Sequence, residues 1–574
     1  MIIHYAKKIT HLKIIALVIC LSLSCDFNSE NAKFNNIDQE QITNLSVLCK
    51  VWGFIKYYDP TIENEKVDWD IELIKMFQPI LNAKTYKDRN NLIFDWIRSF
   101  KGFQSESLDD TPIILQYKNV RLYPEINWIY SQRVLGNELS NILIKISQLK
   151  REGNNQYVSI DLETGRPSFD NEKAYSDIIF PDKNKQLLAL FRMWNVIAYF
   201  YPYRDIIEAD WDNILIKYIP LFLEVDNAST YRNVIQKLVS HLTDGHADVV
   251  EDRYITMDKG DRIAPYEIAF IENKPIVTRL FPNLTLMTKN ILKIGDIIKK
   301  INNKDVQKII EDKEKLLSAS NYSSKLWKIG IELLRTNKRS MLIQIERDSK
   351  IMEFEIDTFP LKEIGLFTRL QNKESLPFQD LGDNIGYFYM GSEIDFKLTD
   401  LDKFKGLILD FRCYPSTKML EYFEDGKLIN ESIDFARWTC GSVKHPGLFY
   451  YKGVTSRTKI VKNYFKGKIA ILVNELTISQ SEFLTMYFKR RSDSFIVGSQ
   501  TAGADGDVTK IALPDSTIVS FSGLGIYYPD FEDTQKKGID IDYYVTPTIS
   551  EIIEGKDSIK EKAISILKDL CNVN

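Results

Sequence analysis

The chemistry that this chain could perform starts from its few histidines. The sequence has five, and His241, His246 and His445 remain once the N-terminal segment is set aside. His246 follows Asp244 and Gly245, a pair that favours a turn. Imidazole is the side chain best suited to act as a base near neutral pH. His246 is therefore a candidate general base at a loop tip, and the alternative is a histidine with a structural role only.

Ser479 is a candidate nucleophile at the start of a helix. An apolar strand is predicted over Lys468–Val473, and the helix after it would present Phe483 and Tyr487 on its apolar face. The first turn of a helix has free N–H groups and a positive dipole end, which can bind an oxyanion. The alternative is a capping box, because Ser479 and Glu482 have the S-x-x-E spacing.

A third stretch is a predicted buried strand over residues 406–410 that ends in Asp410, with Arg412 two positions later. Active sites of α/β sheets gather at the carboxyl ends of their strands. The alternative is an Asp410–Arg412 ion pair that closes the strand.

The elements that position these residues belong to a large chain. Its 574 residues predict two to four domains. Its 75 basic and 79 acidic residues give a net charge of −4, so we expect no nucleic-acid partner. Cys49, Cys413, Cys440 and Cys571 are widely spaced without a CxxC motif, which argues against a zinc or redox site and leaves a disulfide open.

The N-terminus has the pattern of an export signal. Three lysines precede an apolar run over residues 14–23, which is too short to span a bilayer but suits a signal peptide. Ser24 and Cys25 follow and resemble a bacterial lipoprotein cleavage site. We expect a lipoprotein anchored in the outer membrane and facing the periplasm or the cell surface. A simple secretory signal is the alternative.

Two segments in the first half read alike. Residues 51–60 and 193–202 are both apolar and aromatic and end in proline, and a Trp-Asp pair follows each. The copies lie 142 positions apart, as from Trp52 to Trp194, which indicates duplication. Aromatic residues at helical spacing indicate packing, so these tryptophans are predicted to anchor equivalent helical hairpins. An aromatic cleft for a ligand is the alternative.

Residues 294–306 predict a strand, an Asn-Asn turn and a helix start. The stretch resembles part of a PDZ domain, with strand-like segments on either side at 265–277 and 340–359. PDZ domains bind peptides by adding a strand to a sheet edge. A spacer or lid without binding is the alternative.

Together these motifs resemble the tail-specific, or C-terminal-processing, serine peptidases. The order is an Asp-Gly-His loop, a PDZ-like module, the strand over 406–412, and the stretch 474–482 with Ser479. Residues 498–503, 513–514, 528–530 and 538–542 resemble the closing motifs of that family. The resemblance covers roughly residues 180–560. Cys413 and Ile541 depart from it, because the family usually has glycine and proline there.

The resemblance implies a role for each site residue. Ser479 would be the nucleophile, and Ala504 stands where one branch of the family has its lysine base. The branch that resembles the tricorn proteases uses histidine, which here is His246. The backbone N–H groups of Gln480 and Cys413 would form the oxyanion hole.

The acid that orients His246 is expected shortly before the final motif. Asp533 is the first candidate there and Glu532 the second, with Gln535 as a polar neighbour. Asp248 would share the face of His246 in a strand. Asp244 is expected only to cap the turn.

The resemblance also implies an α+β or α/β multidomain fold with a helical N-terminal region, a PDZ-like module and a crotonase-like spiral α/β core. We predict a signal peptide at 1–25, a helical domain with the first repeat at 26–180, a helical segment with the second repeat and the Asp-Gly-His loop at 181–260, a PDZ-like domain at 261–358 and a catalytic core at 359–574. The expected function is peptide hydrolysis on peptide or protein substrates, with no metal or cofactor. The alternatives are an inactive peptide-binding lipoprotein and a crotonase-like enzyme acting on a thioester. A membrane contact is expected only through a lipid anchor, and substrate preference and oligomeric state stay open.

Overall fold

A computed structural model describes residues 34–572, except 35, 63–66, 101–115, 154, 162, 282–291, 365–375, 393–397, 417–427, 431, 456–461 and 463. The predicted signal peptide, residues 1–25, lies outside the described residues. Within the described ranges, no helix is long and apolar enough to cross a membrane.

The N-terminal half is mostly helical, as predicted. Its first unit contains α1 (Gln39–Tyr58), α2 (Trp69–Asn82) and α3 (Tyr86–Arg98). There follow β1 (Val120–Leu122), α4 (Gln132–Ser147), β2 (Ser159–Ile160) and β3 (Pro167–Ser168). The second unit contains α5 (Lys183–Phe200), α6 (Trp211–Glu224) and α7 (Ala228–Ser240).

The duplication extends over three helices of each unit. The starts of α2 and α3 and the ends of α1, α2 and α3 all recur 142 positions later in the second unit. A polar side chain that accepts a backbone N–H caps the start of each of these helices: Asp38, Asp68, Thr85, Asp182, Asp210 and Asn227. The caps of α2 and α3 recur at the same offset, Asp68 with Asp210 and Thr85 with Asn227, and fix the same helix starts in both copies.

Each copy is closed by a reciprocal pair of tryptophans. The indole Nε1 of Trp52 donates to the carbonyl of Trp69, and the indole of Trp69 donates back, both at 3.0 Å. Trp194 and Trp211 repeat the arrangement at 2.8 and 3.1 Å. Trp52 and Trp69 are fully buried. The packing interpretation is therefore correct for the first copy, and the two indole N–H groups of each copy are already satisfied.

Equivalent positions of α1 and α5 meet where these helices cross. A Cβ on Gly53 would lie 1.9 Å from Oδ1 of Asn195, the residue 142 positions later. The Asn195 amide donates to the carbonyls of Cys49 and Phe191, another equivalent pair, at 3.1 and 2.9 Å. Contacts between equivalent residues indicate that an approximate two-fold axis relates the copies. Glycine is required at position 53 because Asn195 occupies the space of a side chain.

The middle of the chain forms an antiparallel sheet with two helices. After β4 (Asp248–Val249), α8 (Arg253–Lys259) and β5 (Arg262–Ile263) come β6 (Tyr266–Ile271), β7 (Lys274–Leu280), β8 (Ile297–Ile301), β9 (Lys304–Asp305), α9 (Val306–Glu314), α10 (Tyr322–Glu332), β10 (Arg335–Thr336), β11 (Ser340–Arg347), β12 (Lys350–Asp357) and β13 (Phe359–Pro360). The sheet order is β12-β11-β8-β7-β6, with β9 on β8. The predicted strand, turn and helix start are confirmed, and Asn302 and Asn303 take the positive φ values, 49° and 65°, of a tight hairpin turn.

The C-terminal core is an α/β sheet, as predicted. Its elements are α11 (Leu361–Ile364), β14 (Phe378–Asp380), β15 (Ile385–Tyr389), β16 (Gly406–Asp410), β17 (Asp434–Gly441), β18 (Phe449–Thr455), β19 (Lys468–Val473), α12 (Gln480–Lys489), β20 (Ser494–Gly498), β21 (Val508–Ala512), β22 (Ile518–Ser522), β23 (Ile526–Tyr527), β24 (Tyr543–Tyr544), α13 (Ile549–Ile553) and α14 (Ser558–Asn572). The main sheet has the order β14-β15-β16-β19-β20-β24 and is parallel from β15 onwards. Strands β16 and β19 are almost wholly buried and apolar, as parallel sheets require.

Small sheets connect the helical half to this core. β4, which directly follows the His246 loop, pairs with β22 of the core. β1 pairs with β18 in a sheet that also contains β17 and β23. One hydrophobic cluster contains both helical repeats together with Val519 and Phe521 of β22. The four described cysteines are free and buried, so the disulfide left open by the sequence does not form among them.

We predict that Gly53→Ala destabilises the protein by about 1–3 kcal/mol, the usual cost of overpacking, since α1 and α5 must separate or Asn195 must turn away. Thermal unfolding measures the change. Gly453→Ala is the matched control, because its nearest neighbouring atom would lie 3.7 Å from the new Cβ. Equal melting temperatures for the two variants would contradict the close helix crossing.

Candidate active site

Ser479 occupies a strained turn between strand β19 and helix α12. It is the N-cap of α12 and has φ 56° and ψ −120°. Such a positive φ is uncommon for any residue other than glycine and is costly unless the surroundings enforce it. A serine on a sharp strand-to-helix turn is the arrangement that exposes a nucleophilic hydroxyl.

The loop over residues 501–506 holds this turn in place. The N–H of Ser479 donates to the carbonyl of Ala504 at 3.1 Å, and the N–H of Ala502 donates to the carbonyl of Thr477 at 3.0 Å. The hydroxyl Oγ of Ser479 lies 3.4 Å from the carbonyl oxygen of Gly506. The turn is therefore fixed by backbone contacts on a neighbouring loop.

The buried carboxylate of Glu482 joins the same loop to α12. It accepts the N–H groups of Gly503 and Ala504 at 2.8 and 2.9 Å and the N–H of Ser479 at 3.3 Å. The last of these is the backbone half of the capping box considered from the sequence. Glu482 thus does more than cap a helix, because it positions the segment where Ala504 replaces a lysine.

Two backbone N–H groups beside Ser479 are free to bind an oxyanion. Among the described residues, neither the N–H of Gln480 nor that of Cys413 donates to another group. The segment at Cys413 is drawn to the helix start because the Ser481 hydroxyl donates to the Cys413 carbonyl. The hydroxyl of Thr477 also donates to the carbonyl of Phe411 at 2.9 Å. These two contacts tie the segment at Cys413 to the start of α12, and the oxyanion hole at Gln480 and Cys413 stays a prediction.

The ion pair considered as an alternative forms at the end of β16, just before Cys413. The guanidinium of Arg412 donates to both carboxylate oxygens of Asp410, at 3.0 and 2.7 Å, and to Asp557. These contacts close the end of β16. Asp410 and Arg412 therefore have a structural role, while the backbone just after them reaches the site.

His246 is connected to a carboxylate through a serine. Its Nδ1 lies 3.1 Å from Oγ of Ser522, and that hydroxyl donates to Oδ1 of Asp244 at 2.9 Å. Because the Ser522 proton is given to Asp244, the Ser522 oxygen is left to accept a proton from Nδ1–H. This assigns the hydrogen of neutral His246 to Nδ1 and leaves Nε2 unprotonated, ready to accept a proton.

Asp244 is the most connected group of the site. Its fully buried carboxylate accepts the N–H of His246 at 3.0 Å and the N–H of Ser522 at 2.8 Å. The amide of Gln535 donates to it at 3.3 Å, and the Tyr201 hydroxyl also donates to it. Burial lowers the pKa of His246, and the Asp244 charge opposes that effect. Neutral His246 is therefore the dominant form at neutral pH.

The His246 loop packs directly on the Ser479 turn. A Cβ on Gly245 would lie 2.6 Å from Cβ of Ala504 and 3.8 Å from Ile478, the residue before Ser479. Alanine at position 504 thus leaves room for the loop. Among the described residues, no hydrogen bond joins Ser479 Oγ to the imidazole: Oγ lies near the Gly506 carbonyl, and Nδ1 lies near Ser522.

The structure corrects the prediction of the orienting acid. Asp533 lies 3.9 Å from Arg121, and Glu532 pairs with Lys537 at 3.1 Å. Among the described contacts, neither carboxylate binds His246. Their loop reaches the site through Gln535 instead. Asp244, expected only to cap the turn, is the acid that is linked to the imidazole.

Sequence reasoning missed the serine in this linkage. Ser522 stands in β22, 276 positions after His246, and belongs to none of the recognised motifs. The pairing of β22 with β4 brings it to the imidazole. Asp248, the other local candidate, is exposed and lies on β4 beyond the loop.

Comparison with known proteins assigns part of the chain to a peptidase family model. The model of peptidase family S41 matches residues 387–545, which contain Ser479, Gln480 and Cys413. Residues 387–545, the part that matches this family model, are called the S41 segment below. His246 and Asp244 lie outside it, so the S41 segment and the helical half together build the candidate site. No curated protein matches the chain.

Several solved structures are similar to this chain over about two thirds of its length. Mature CPAF complexed with lactacystin is 12% identical over 68% of this chain and 98% of its own, with a TM-score of 0.50. A CPAF mutant is also 12% identical with the same coverage and a TM-score of 0.51. The photosystem II D1 C-terminal processing protease is 16% identical over 65% of this chain and 98% of its own, with a TM-score of 0.37. The likeness to CPAF shows a shared fold.

We predict that Glu482 makes the stability of the S41 segment depend on pH. Burial raises its pKa from 4.5 to about 7, although the surrounding donors oppose the effect. Because the folded pKa lies above the ordinary value, the stabilising contribution is complete below about pH 4.5 and is lost as the pH rises through about 7. The loss is on the order of 3 kcal/mol.

Unfolding of the wild type and of Glu482→Gln at pH 5 and pH 8 measures this contribution. We expect the stability of the wild type, relative to the variant, to fall between the two pH values. A constant difference between the two proteins would show that Glu482 keeps the same protonation state throughout.

Proposed function

We propose that the protein is a serine peptidase in which Ser479 is the nucleophile and His246 the general base. The observation that carries the proposal is the hydrogen-bonded chain from His246 Nδ1 through Ser522 to Asp244, which leaves Nε2 unprotonated beside the strained turn of Ser479. Membership of residues 387–545 in family S41 supports the same reaction class.

In the proposed reaction, Nε2 of His246 takes the proton of Ser479 as Oγ attacks the carbonyl carbon of a peptide bond. The tetrahedral intermediate places its negative oxygen between the N–H groups of Gln480 and Cys413. His246 then gives the proton to the leaving amine, and an acyl-enzyme remains on Ser479. Water, deprotonated by His246, releases the acyl group and restores the serine.

Asp244 would stabilise the positive charge that His246 acquires in each half-reaction. Its carboxylate acts through the Ser522 hydroxyl, which accepts a hydrogen bond from Nδ1–H and so keeps the imidazole oriented. The proton on Nδ1 stays on the imidazole throughout. The hydroxyl of Ser479 must turn from the Gly506 carbonyl towards His246. Such catalytic hydrogen bonds commonly tighten only when substrate is bound.

The sequence also supports a cellular location and a substrate class for this activity. We propose a lipoprotein of the cell envelope that cleaves peptide or protein chains, with the lipid carried by Cys25. The sheet over residues 266–357 is proposed to act as a PDZ-like module that binds an extended peptide at a strand edge. C-terminal processing is the specific activity suggested by the sequence resemblance.

Hydrolysis by purified Ser479→Ala and His246→Ala proteins tests the function. We expect no measurable cleavage of an unfolded protein substrate by the first. A loss of several orders of magnitude is expected for the second, the scale seen when a triad base is removed. Full activity in a folded Ser479→Ala protein would refute the assignment. A wild type that binds peptide but never cleaves it would favour the inactive binding protein.

A second prediction separates Asp244 from the acids chosen by sequence. Asp244→Asn and Ser522→Ala should lower kcat by about 10²–10⁴ with little change in KM. The matched controls Asp533→Asn and Glu532→Gln should retain near-wild-type rates. Loss of activity in Asp533→Asn, with retention in Asp244→Asn, would reverse the assignment.

The pH profile provides an independent readout of the same contact. Activity requires neutral His246, so the rate should rise with pH through the depressed pKa of the imidazole and then level off. Since the Asp244 charge raises that pKa, Asp244→Asn should move the acidic limb to lower pH. An acidic limb that stays in place would show that Asp244 does not act on the imidazole.

A further inference from the structure

The two copies of the helical repeat differ in what covers them. In the first copy, residues 172–175 of the same chain lie across the tryptophan motif. Arg192, which comes from the second copy, donates Nη1 to the carbonyl of Lys173 at 2.9 Å and pairs through Nε with Glu172 at 3.0 Å. Its Nη2 pairs with Asp70 at 2.6 Å. Arg192 thus fastens this short segment to the repeat.

Two carboxylates of the first copy complete the contact with the segment. The ammonium of Lys173 pairs with Asp68, and the hydroxyl of Tyr175 donates to Asp70 at 3.1 Å. Asp68 is the N-cap of α2, and Asp70 lies in its first turn. The Trp-Asp motif of a repeat therefore binds a peptide segment that has a basic residue followed, two positions later, by a tyrosine.

The second copy has the same groups, but the residues of the same chain that lie beside them, 121–125, 127 and 128, form no ion pair with Asp210 or Asp212 among the described contacts. Lys50, the equivalent of Arg192, pairs with Asp212 at 2.8 Å, just as Arg192 pairs with Asp70. Asp210, the equivalent of Asp68, caps α6 by accepting the N–H of Asn213 at 3.1 Å. Within the part of the chain that the structure describes, no residue pairs with Asp210 as Lys173 pairs with Asp68.

A cavity of about 660 Å³ lies at this second motif. Trp194 and Trp211 contribute to its wall, with Lys50, Asp210 and Asp212 around them. Because each of the two indole N–H groups donates to the other residue's carbonyl, the walls offer aromatic surface, and the charged groups supply the polar contacts.

One residue that differs between the two copies helps to explain why the second copy has a cavity. Lys56 of the first copy covers the ring of Trp52 at 4.7 Å and pairs with Glu172 at 2.6 Å. Its equivalent in the second copy is Ala198, which lines the cavity. The site therefore keeps the anchoring charges of the first copy and has lost the bulk of the lysine.

We propose that this cavity binds a short segment of another polypeptide that carries a lysine or arginine and, two residues later, a tyrosine. The basic side chain pairs with Asp210, the tyrosine hydroxyl donates to Asp212, and Lys50 binds a carbonyl or an acidic side chain of the segment. Residues 172–175 on the first copy are the template for each of these contacts. The cavity is separate from the Ser479 turn, and the proposal does not depend on catalysis.

Fluorescence anisotropy with a labelled peptide tests the proposal. The probe is Asp-Asn-Glu-Lys-Ala-Tyr-Ser-Asp, the sequence of residues 170–177, titrated with the full-length wild-type protein. We expect saturable binding that weakens at least tenfold when the lysine and tyrosine of the peptide are both replaced by alanine. Absence of saturable binding, or equal binding of the two peptides, would overturn the proposal.

Variants of the protein test whether the probe peptide binds at the second motif. Asp210→Asn and Asp212→Asn should weaken the probe at least fivefold. Glu224→Gln, which changes an exposed carboxylate at the other end of α6, should leave it unchanged. Binding that survives both aspartate substitutions but is blocked by a phosphonate on Ser479 would assign the peptide to the active site and refute this one.

A variant that gains affinity for the probe is the most specific test of the proposal. Ala198→Lys restores the lysine of the first copy, so it should tighten binding of the probe several-fold through the glutamate that corresponds to Glu172. A probe with glutamine at that position should gain nothing. Thermal unfolding confirms that the variant is folded. A folded variant that gains no affinity for the glutamate probe would contradict the equivalence of the two motifs.

Discussion

The buried carboxylate of Asp244 is the constraint on which the candidate site depends. A carboxylate removed from water must accept hydrogen bonds, because an unpaired buried charge lowers the free energy of unfolding by several kcal/mol. Here the donors come from distant parts of the chain: Tyr201 after α5, Ser522 in β22, and Gln535 in the loop before the last strand. The hydrogen bonds to this one carboxylate therefore join the helical repeat, the His246 loop and the S41 segment around Asp244.

The same requirement explains why His246 can stand outside the S41 segment. Its loop is held because the N–H groups of Asp244 and Gly245 donate to the hydroxyl oxygens of Ser318 and Ser320 in the middle module. The ammonium of Lys328 donates to the Gly245 carbonyl at 2.8 Å. The middle module thus positions the loop that carries the candidate base.

Local signals in the sequence predicted much of this site. The apolar run before Ser479 and the Asp-Gly turn before His246 are short-range patterns, and the structure has the strand, helix start and loop they indicate. The N–H of Gln480, one of the two predicted oxyanion donors, belongs to the same helix start. The partner of His246 could not be predicted in this way, because Ser522 reaches it only through the pairing of β22 with β4. The resemblance pointed to Asp533, whose side chain instead faces Arg121.

The repeat shows the same division between local and long-range information. The sequence revealed the duplication and the packing of its tryptophans, since both depend on spacing within one copy. It did not reveal that Arg192 and Lys50 each cross to the other copy's aspartate. That exchange depends on the close crossing at Gly53, which no pattern within one copy specifies.

The rate at which a fluorophosphonate labels Ser479 tests the central claim most directly, because this reaction needs the nucleophile, the base and the oxyanion donors but no knowledge of the substrate. Labelling would be located by peptide mass spectrometry in the wild type, His246→Ala and Asp244→Asn. The account predicts a single labelled serine, Ser479, in the wild type, with labelling at least a hundredfold slower in both variants. Labelling at another serine, or labelling of Ser479 at the same rate in His246→Ala, would contradict it.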